Sequence, residues 1–264
     1  MTVTEAGEPK MRMKRIALLF SLATLAFGGQ VQAQTVDFTT MTLNGLATVP
    51  NSNLLSLNES GGSEASSAFL PTAFDTTAGV AGSFDFILSR NTYSQSGGVA
   101  LLFQNDPAGA HALGNNGGII GTTGIQNAVG IGLQSQILNS ATIFTSAEGP
   151  YGGSITSFNV PADLYESFHL AFSYSGGVLS YTATDSNTGQ SIASTRMITL
   201  PSNAFIGFTS GTDAGYALQS VTNFTLNTTP VPEPESWTMM IAGMSLLGAV
   251  LCRRRGENRF AGFA

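Results

Sequence analysis

The strongest constraint on this chain is a two-residue alternation. Phe168, Leu170, Phe172 and Tyr174 are interleaved with His169, Ala171 and Ser173. Successive side chains of an extended strand fall on opposite faces, so this stretch buries one face and wets the other. Ser175-Gly176-Gly177-Val178 turns the chain into Leu179-Ser180-Tyr181-Thr182-Ala183-Thr184, a hairpin partner. Asp185-Ser186-Asn187-Thr188-Gly189 is a further turn, made of residues that adopt positive φ or bond their own backbone. The same signals predict strands over residues 83–88, 99–103, 129–133, 154–160, 204–209 and 221–226. No stretch before residue 230 sustains a helical period with caps. Short strands, glycine-rich turns and uneven spacing predict an all-β fold, a sandwich of two antiparallel sheets rather than a closed barrel.

The two ends are built differently. Lys14-Arg15 precede an apolar run over residues 16–27, followed by Gly28-Gly29-Gln30-Val31-Gln32-Ala33. A basic stretch, a short apolar stretch and a small residue at the cut describe a secretory signal peptide over residues 1–33, with Met11 or Met13 as alternative starts. At the other end Pro232-Glu233-Pro234 opens an extended segment, 230–236, that propagates neither helix nor strand. Trp237 suits a membrane interface, residues 237–252 are apolar, and Arg253-Arg254-Arg255 begin a basic cytoplasmic tail, 253–264. As a helix, 237–252 spans about 24 Å, a short membrane crossing. The Pro-Glu-Pro-x-x-Trp opening, apolar stretch and arginines closely resemble the PEP-CTERM sorting tail of exported Gram-negative bacterial proteins. That resemblance implies an exosortase-type membrane transpeptidase as partner, transient anchoring in the inner membrane, and delivery to the cell envelope, cell surface or extracellular matrix.

Residues 34–229 are then the working domain. Eleven carboxylates stand against Arg90 and Arg196 with no lysine, leaving a formal charge of −9. Such a surface repels phosphate backbones and excludes nucleic acid as a partner. The single cysteine, Cys252, lies in the tail, so the domain has neither disulfide nor thiolate chemistry.

Several segments carry a second likeness. Ser96-Gly97-Gly98-Val99-Ala100-Leu101-Leu102-Phe103-Gln104-Asn105-Asp106-Pro107 resembles a conserved stretch of legume-type (L-type) lectins. Ala112-Leu113-Gly114, Gly117-Gly118 and Gly121 resemble their glycine-rich loop, and Ile125-Gln126-Asn127-Ala128-Val129-Gly130-Ile131 another of their strands. Phe205-Ile206-Gly207-Phe208-Thr209-Ser210-Gly211-Thr212 and Val221-Thr222-Asn223-Phe224-Thr225-Leu226 resemble the last strands. The resemblance implies a concanavalin-like jelly-roll sandwich. It also implies a sugar-binding aspartate where this chain has Gly97. Further, it implies a glutamate and an aspartate, two residues apart, holding a transition metal and calcium where this chain has Gly132 and Gln134. Calcium needs charged oxygen ligands, so the expectation is a retained fold and a lost metal site, with no cofactor. Asn139 is a displaced candidate for the family's loop asparagine.

The remaining candidates for carbohydrate are Asn115, Asn116, Gly117 and Gly118, with Thr212, Asp213 and Tyr216 in the loop expected beside them. Planar amides, a carboxylate and a ring suit sugar hydroxyls, and the same residue types also simply make turns. His111 reads as a solvated loop residue and His169 as an outward strand residue with no special role. Endoglucanases of the same fold carry Glu-x-Asp-x-x-Glu, which is absent here. Asp163 and Glu166, after Pro161, read as solvated carboxylates on a loop or helical turn. No Gly-x-Ser-x-Gly elbow occurs either. The expectation is a non-catalytic, surface-sorted domain binding exopolysaccharide or another glycan of the envelope or biofilm matrix. The alternatives are a structural matrix protein without a sugar site and, further off, a glycoside hydrolase.

Overall fold

A computed structural model describes residues 34–58, 62–90, 97–117, 120–134, 140–158, 165–212 and 217–228. In chain order the strands begin with β1 Gln34–Thr35, β2 Thr42–Gly45, β3 Thr48–Asn51, β4 Leu54–Asn58 and β5 Ala65–Phe69. Next come β6 Phe74–Asp75, β7 Val80–Arg90, β8 Gly98–Gln104, β9 Ala128–Gln134, β10 Ser140–Thr145 and β11 Ser154–Ser157. The last are β12 Tyr165–Ser175, β13 Val178–Asp185, β14 Ser191–Met197, β15 Asn203–Gly211 and β16 Ala217–Thr228. Among the described residues the only helical pieces are two short 3-10 turns, Phe38–Thr40 and Gly109–His111.

The strands form two antiparallel sheets. The back sheet runs β14-β13-β12-β7-β16-β4-β3, with β1 paired to β16. The front sheet runs β11-β10-β9-β8-β15-β5-β2, with β6 paired to β15. Phe168, Leu170 and Phe172 point between the sheets as their alternation requires, and meet Val99, Leu101 and Phe103 of β8 and Ile206 and Phe208 of β15 in one core. Rings lock its centre: Phe84 and Phe224 each meet Phe208 edge-on at 4.9 Å. Each fully buried Leu or Phe adds about 1.5–3 kcal/mol of hydrophobic free energy, so this layer holds the sheets together.

The front sheet is covered on its outer face as well. The long connection from β8 to β9 lays Ala110, Ala112, Ile120 and Ile125 over Ala100, Leu102, Ala128 and Phe144, making a second core. Strands β8, β9 and nearly all of β10 are therefore buried on both faces. On the far edge the sheets are clipped together by Arg196 of β14. Its guanidinium donates to both oxygens of Glu148 at 2.6 and 2.8 Å and to the Ile143 carbonyl at 3.0 Å.

Strand direction defines two ends. At the loop end β8 and β16 begin while β9 and β15 finish; at the base β8 and β16 finish, and Gln34 pairs with Leu226. The loop end has a polar interior. Register aligns Asn58, Gln219, Leu88 and Glu166 on four neighbouring strands, and all four are buried. This corrects the reading of Glu166 as solvated: it lies in β12 with its side chain among the core positions, while Asp163 falls outside the described residues. The strand expected over 154–160 stops at Ser157. His169 does face outward, but it has a partner: its Nδ1 lies 2.6 Å from Asp85, whose other oxygen accepts from Asn223. His111 is exposed, as expected. The signal peptide, Asn139, and everything from residue 229 on, including 237–252, lie outside the described residues.

Candidate functional site

The connection over the front sheet is pinned at the base and docked at the loop end. Near the base Asp106 accepts the Ala108 N–H through Oδ1 and the Gln126 N–H through Oδ2, so one carboxylate ties the outgoing chain to the returning chain. At the loop end contact is backbone on backbone. A Cβ on Gly121, at φ +68°, would sit 2.3 Å from the Ser210 oxygen, and one on Gly114 would sit 2.0 Å from the Gly121 oxygen. Glycine is required at 121 both by the left-handed backbone and by the approach, and at 114 by the approach alone.

That docking brings together part of the expected carbohydrate set. The Gly117 N–H donates to the Thr212 carbonyl at 3.2 Å, and the Asn116 amide donates to the Ser63 carbonyl at 3.1 Å. The Asn115 N–H donates to the Thr123 carbonyl at 2.7 Å, leaving its side chain exposed. Thr212 is buried, and its hydroxyl accepts the Glu64 N–H at 3.1 Å while its own N–H donates to the Glu64 carbonyl at 3.0 Å. Among the described residues this end thus exposes Asn115 and Asn116, with Glu64, the neighbour of Ser63, partly exposed. One Glu64 oxygen accepts from the Asn58 amide at 3.3 Å. Gly118, Asp213 and Tyr216 lie outside the described residues. Sequence reasoning did not single out Glu64, because its link to Thr212 spans 148 residues.

Gly97 is buried, and the room an aspartate would need is taken. A Cβ there would be 2.2 Å from Gln219 Nε2. Gln219 is fully buried and its Oε1 accepts from the Gly98 N–H at 3.0 Å and from the Ser210 hydroxyl. Since Oε1 faces a donor, the amide orientation is fixed by its surroundings.

The metal positions fare alike. Gly132 faces the second core, where a Cβ would meet Ile120 Cδ1 at 2.8 Å and the Phe144 ring at 3.2 Å. Gln134 donates its Nε2 to the Pro150 carbonyl at 2.9 Å. Ile120 holds this place at φ 49°, an unusual conformation for a β-branched residue, with its carbonyl accepting from the Thr209 hydroxyl at 3.0 Å. An apolar side chain and a committed amide do not fit Ca²⁺ or a transition metal, which need charged or imidazole ligands. Among the described residues no three of His, Cys, Asp and Glu converge.

Glu148 is held down to about 2, first by the Arg196 hydrogen bonds. A carboxylate so stabilised stays ionised and cannot serve as a proton donor near neutral pH.

Comparison with known proteins bears on both halves. The PEP-CTERM protein-sorting motif matches residues 230–255. No curated protein matches the sequence. Among solved structures, lectin II from Ulex europaeus is similar over 74% of this chain and 97% of its own, with TM-score 0.63 and 12% identity. A Bauhinia forficata lectin, solved in complex with GalNAc, is similar over 75% of this chain and 99% of its own, with TM-score 0.63 and 16% identity. Lectin I-B4 from Griffonia simplicifolia, in a metal-free form, is similar over 76% and 95%, with TM-score 0.59 and 13% identity. The domain therefore has the legume-lectin jelly-roll fold and carries a C-terminal PEP-CTERM sorting motif; at these identities the likeness is one of fold.

Proposed function

We propose that this is an exported, surface-sorted, non-catalytic glycan-binding protein of the cell envelope or its exopolysaccharide matrix. Its leader is removed after Ala33, and an exosortase-type transpeptidase acts at Pro232-Glu233-Pro234. The observation that carries the reading is the exposed Asn115 and Asn116 at the loop end, Asn116 bonded to the Ser63 carbonyl next to the partly exposed Glu64, opposite the end where β16 finishes. Strand β16 runs from the loop end at Ala217 to the base at Thr228, which at about 3.3 Å per residue separates them by some 35–40 Å. A domain held through its C-terminus offers the loop end outward. Carboxylate and amide groups of this kind accept from and donate to sugar hydroxyls without a metal. Asp213 and Tyr216 complete the proposed set.

A second reading, a structural matrix module without a sugar site, is favoured by one observation: Gln219 fills the room of the family's sugar-binding aspartate. Glycan-array binding, with calcium and with a chelator, separates the two. The expected result is chelator-resistant binding to defined neutral glycans, lost in Asn116→Ala combined with Asp213→Ala. Clean absence on a broad array would leave the structural reading, and calcium-dependent binding would overturn the exclusion of metal by Ile120.

A further inference from the structure

A second concavity lies at the base, away from the loop-end candidates. It is an open groove of about 420 Å³ lined by Asn105, Asn127, Thr199, Leu200, Pro201 and Ser202, among others, with no ionisable side chain. Strand directions place it: Asn105 follows the end of β8, Asn127 precedes β9, and residues 199–202 lead into β15. Its walls are fixed from behind. The Thr76 hydroxyl donates to the Pro201 carbonyl at 2.7 Å and the Thr76 N–H to the Ser202 carbonyl at 3.0 Å. Where β8 and β9 meet the groove, the Asn105 N–H donates to the Asn127 carbonyl at 3.2 Å. Asn127 itself sits at φ 48°, a conformation asparagine tolerates.

The groups left facing the groove have one chemical character. Asn105, Asn127, Thr199 and Ser202 are exposed, and the side chains of Asn105, Thr199 and Ser202 make no hydrogen bond to protein among the described residues. They offer donors and acceptors without charge, beside the half-buried ring of Pro201. We propose that this groove is a second ligand site, taking one or two residues of a neutral saccharide, with a ring C–H face against Pro201 and hydroxyls on the amides and Ser202. Anionic sugars are disfavoured, because the domain around the groove carries a formal −9 and the groove supplies no cation. With the loop end also occupied, one domain would bridge two glycan chains. The base site does not depend on the loop-end reading.

The test is an isotope-labelled full chain in micelles of a non-glycosidic detergent, titrated by NMR with cellohexaose, maltohexaose and, as the charged control, hexagalacturonate. Saturable shifts of the Asn105 and Asn127 side-chain amides and of the backbone at 199–202 are expected with at least one neutral probe and not with hexagalacturonate. Ser202→Trp, which fills the groove from an exposed position, should weaken the affinity at least tenfold, whereas Asn116→Ala should leave it unchanged. If Ser202→Trp disturbs the fold, Asn105→Ala with Thr199→Val supplies the same reading. No saturable shift at the base with either neutral probe, or equal affinity in the blocked variants, overturns the proposal. Shifts confined to residues 115–117 would sink the base site while sparing the loop-end reading; shifts confined to the base would do the reverse.

Discussion

Putting an aspartate at position 97 tests whether Gln219 fills the space where the lectin resemblance leads one to expect a sugar-binding carboxylate. Gly97 is not among the positive-φ glycines, so the backbone accepts an aspartate and the penalty is steric. The new Cβ would lie 2.2 Å from Gln219 Nε2 and 3.0 Å from its Cδ, so the amide has to leave. Its departure strips the Gly98 N–H of its acceptor in a buried place, while the Ser210 hydroxyl keeps the Gly98 carbonyl at 2.9 Å. An unsatisfied buried donor costs about 1–3 kcal/mol and overpacking about 1–3 kcal/mol, so Gly97→Asp should destabilise by about 2–6 kcal/mol. In a Gln219→Ala background the clash is gone and the new carboxylate can accept the Gly98 N–H itself. The double variant should then be more stable than the sum of the single losses by about 2 kcal/mol, a coupling of the size expected for residues in contact. Urea unfolding of the four proteins measures it. Additive losses, or a Gly97→Asp penalty below about 1 kcal/mol, would refute the placement of Gln219.

Three further outcomes follow from the same structure. Glu148→Gln should lower stability by about 1 kcal/mol at pH 7, much less than the full shift would suggest, because both partners of the Arg196 pair are partly exposed and screened. Glu148 is lowered from 4.5 to about 2, so its contribution is present above pH 4.5 and fades towards pH 2. Urea midpoints of the two proteins should therefore converge in acid; a constant gap would refute the pairing. Ser66→Ala should be neutral or stabilising by up to about 1 kcal/mol, since the buried Ser66 hydroxyl has no hydrogen-bond partner among the described residues and alanine sheds that desolvation cost; thermal melts decide it. Gly121→Ala should cost at least about 2 kcal/mol and speed amide exchange across residues 105–127, because its methyl would meet the Ser210 carbonyl at φ +68°.

The back sheet was legible because one of its faces is wet: β12 and β13 alternate buried and open positions, and that alternation is what a period-two reading detects. Strand β10 was missed for the opposite reason. It lies between two cores, so Ala141, Ile143 and Phe144 are all buried and the alternation disappears. Strand β14, a polar edge with Ser191, Ser194 and Thr195, gave no apolar signal. The site was less legible than the fold because its contacts are remote in sequence. Glycines at 97 and 132 announce a missing carboxylate, but what replaces it is decided elsewhere: Gln219 bonds Gly98 across 121 residues, and Ile120 reaches Gly132 only after the connection folds over the sheet. Glu166 shows the same dependence. Its neighbours in sequence suggest a solvated turn, whereas cross-strand register puts it level with Leu88, Gln219 and Asn58 in a buried polar row. The sandwich needs only that inward positions be apolar or mutually bonded. Its loop-end places can hold amides and isoleucine while the layers stay put, which is why fold and binding chemistry have to be tested by separate substitutions.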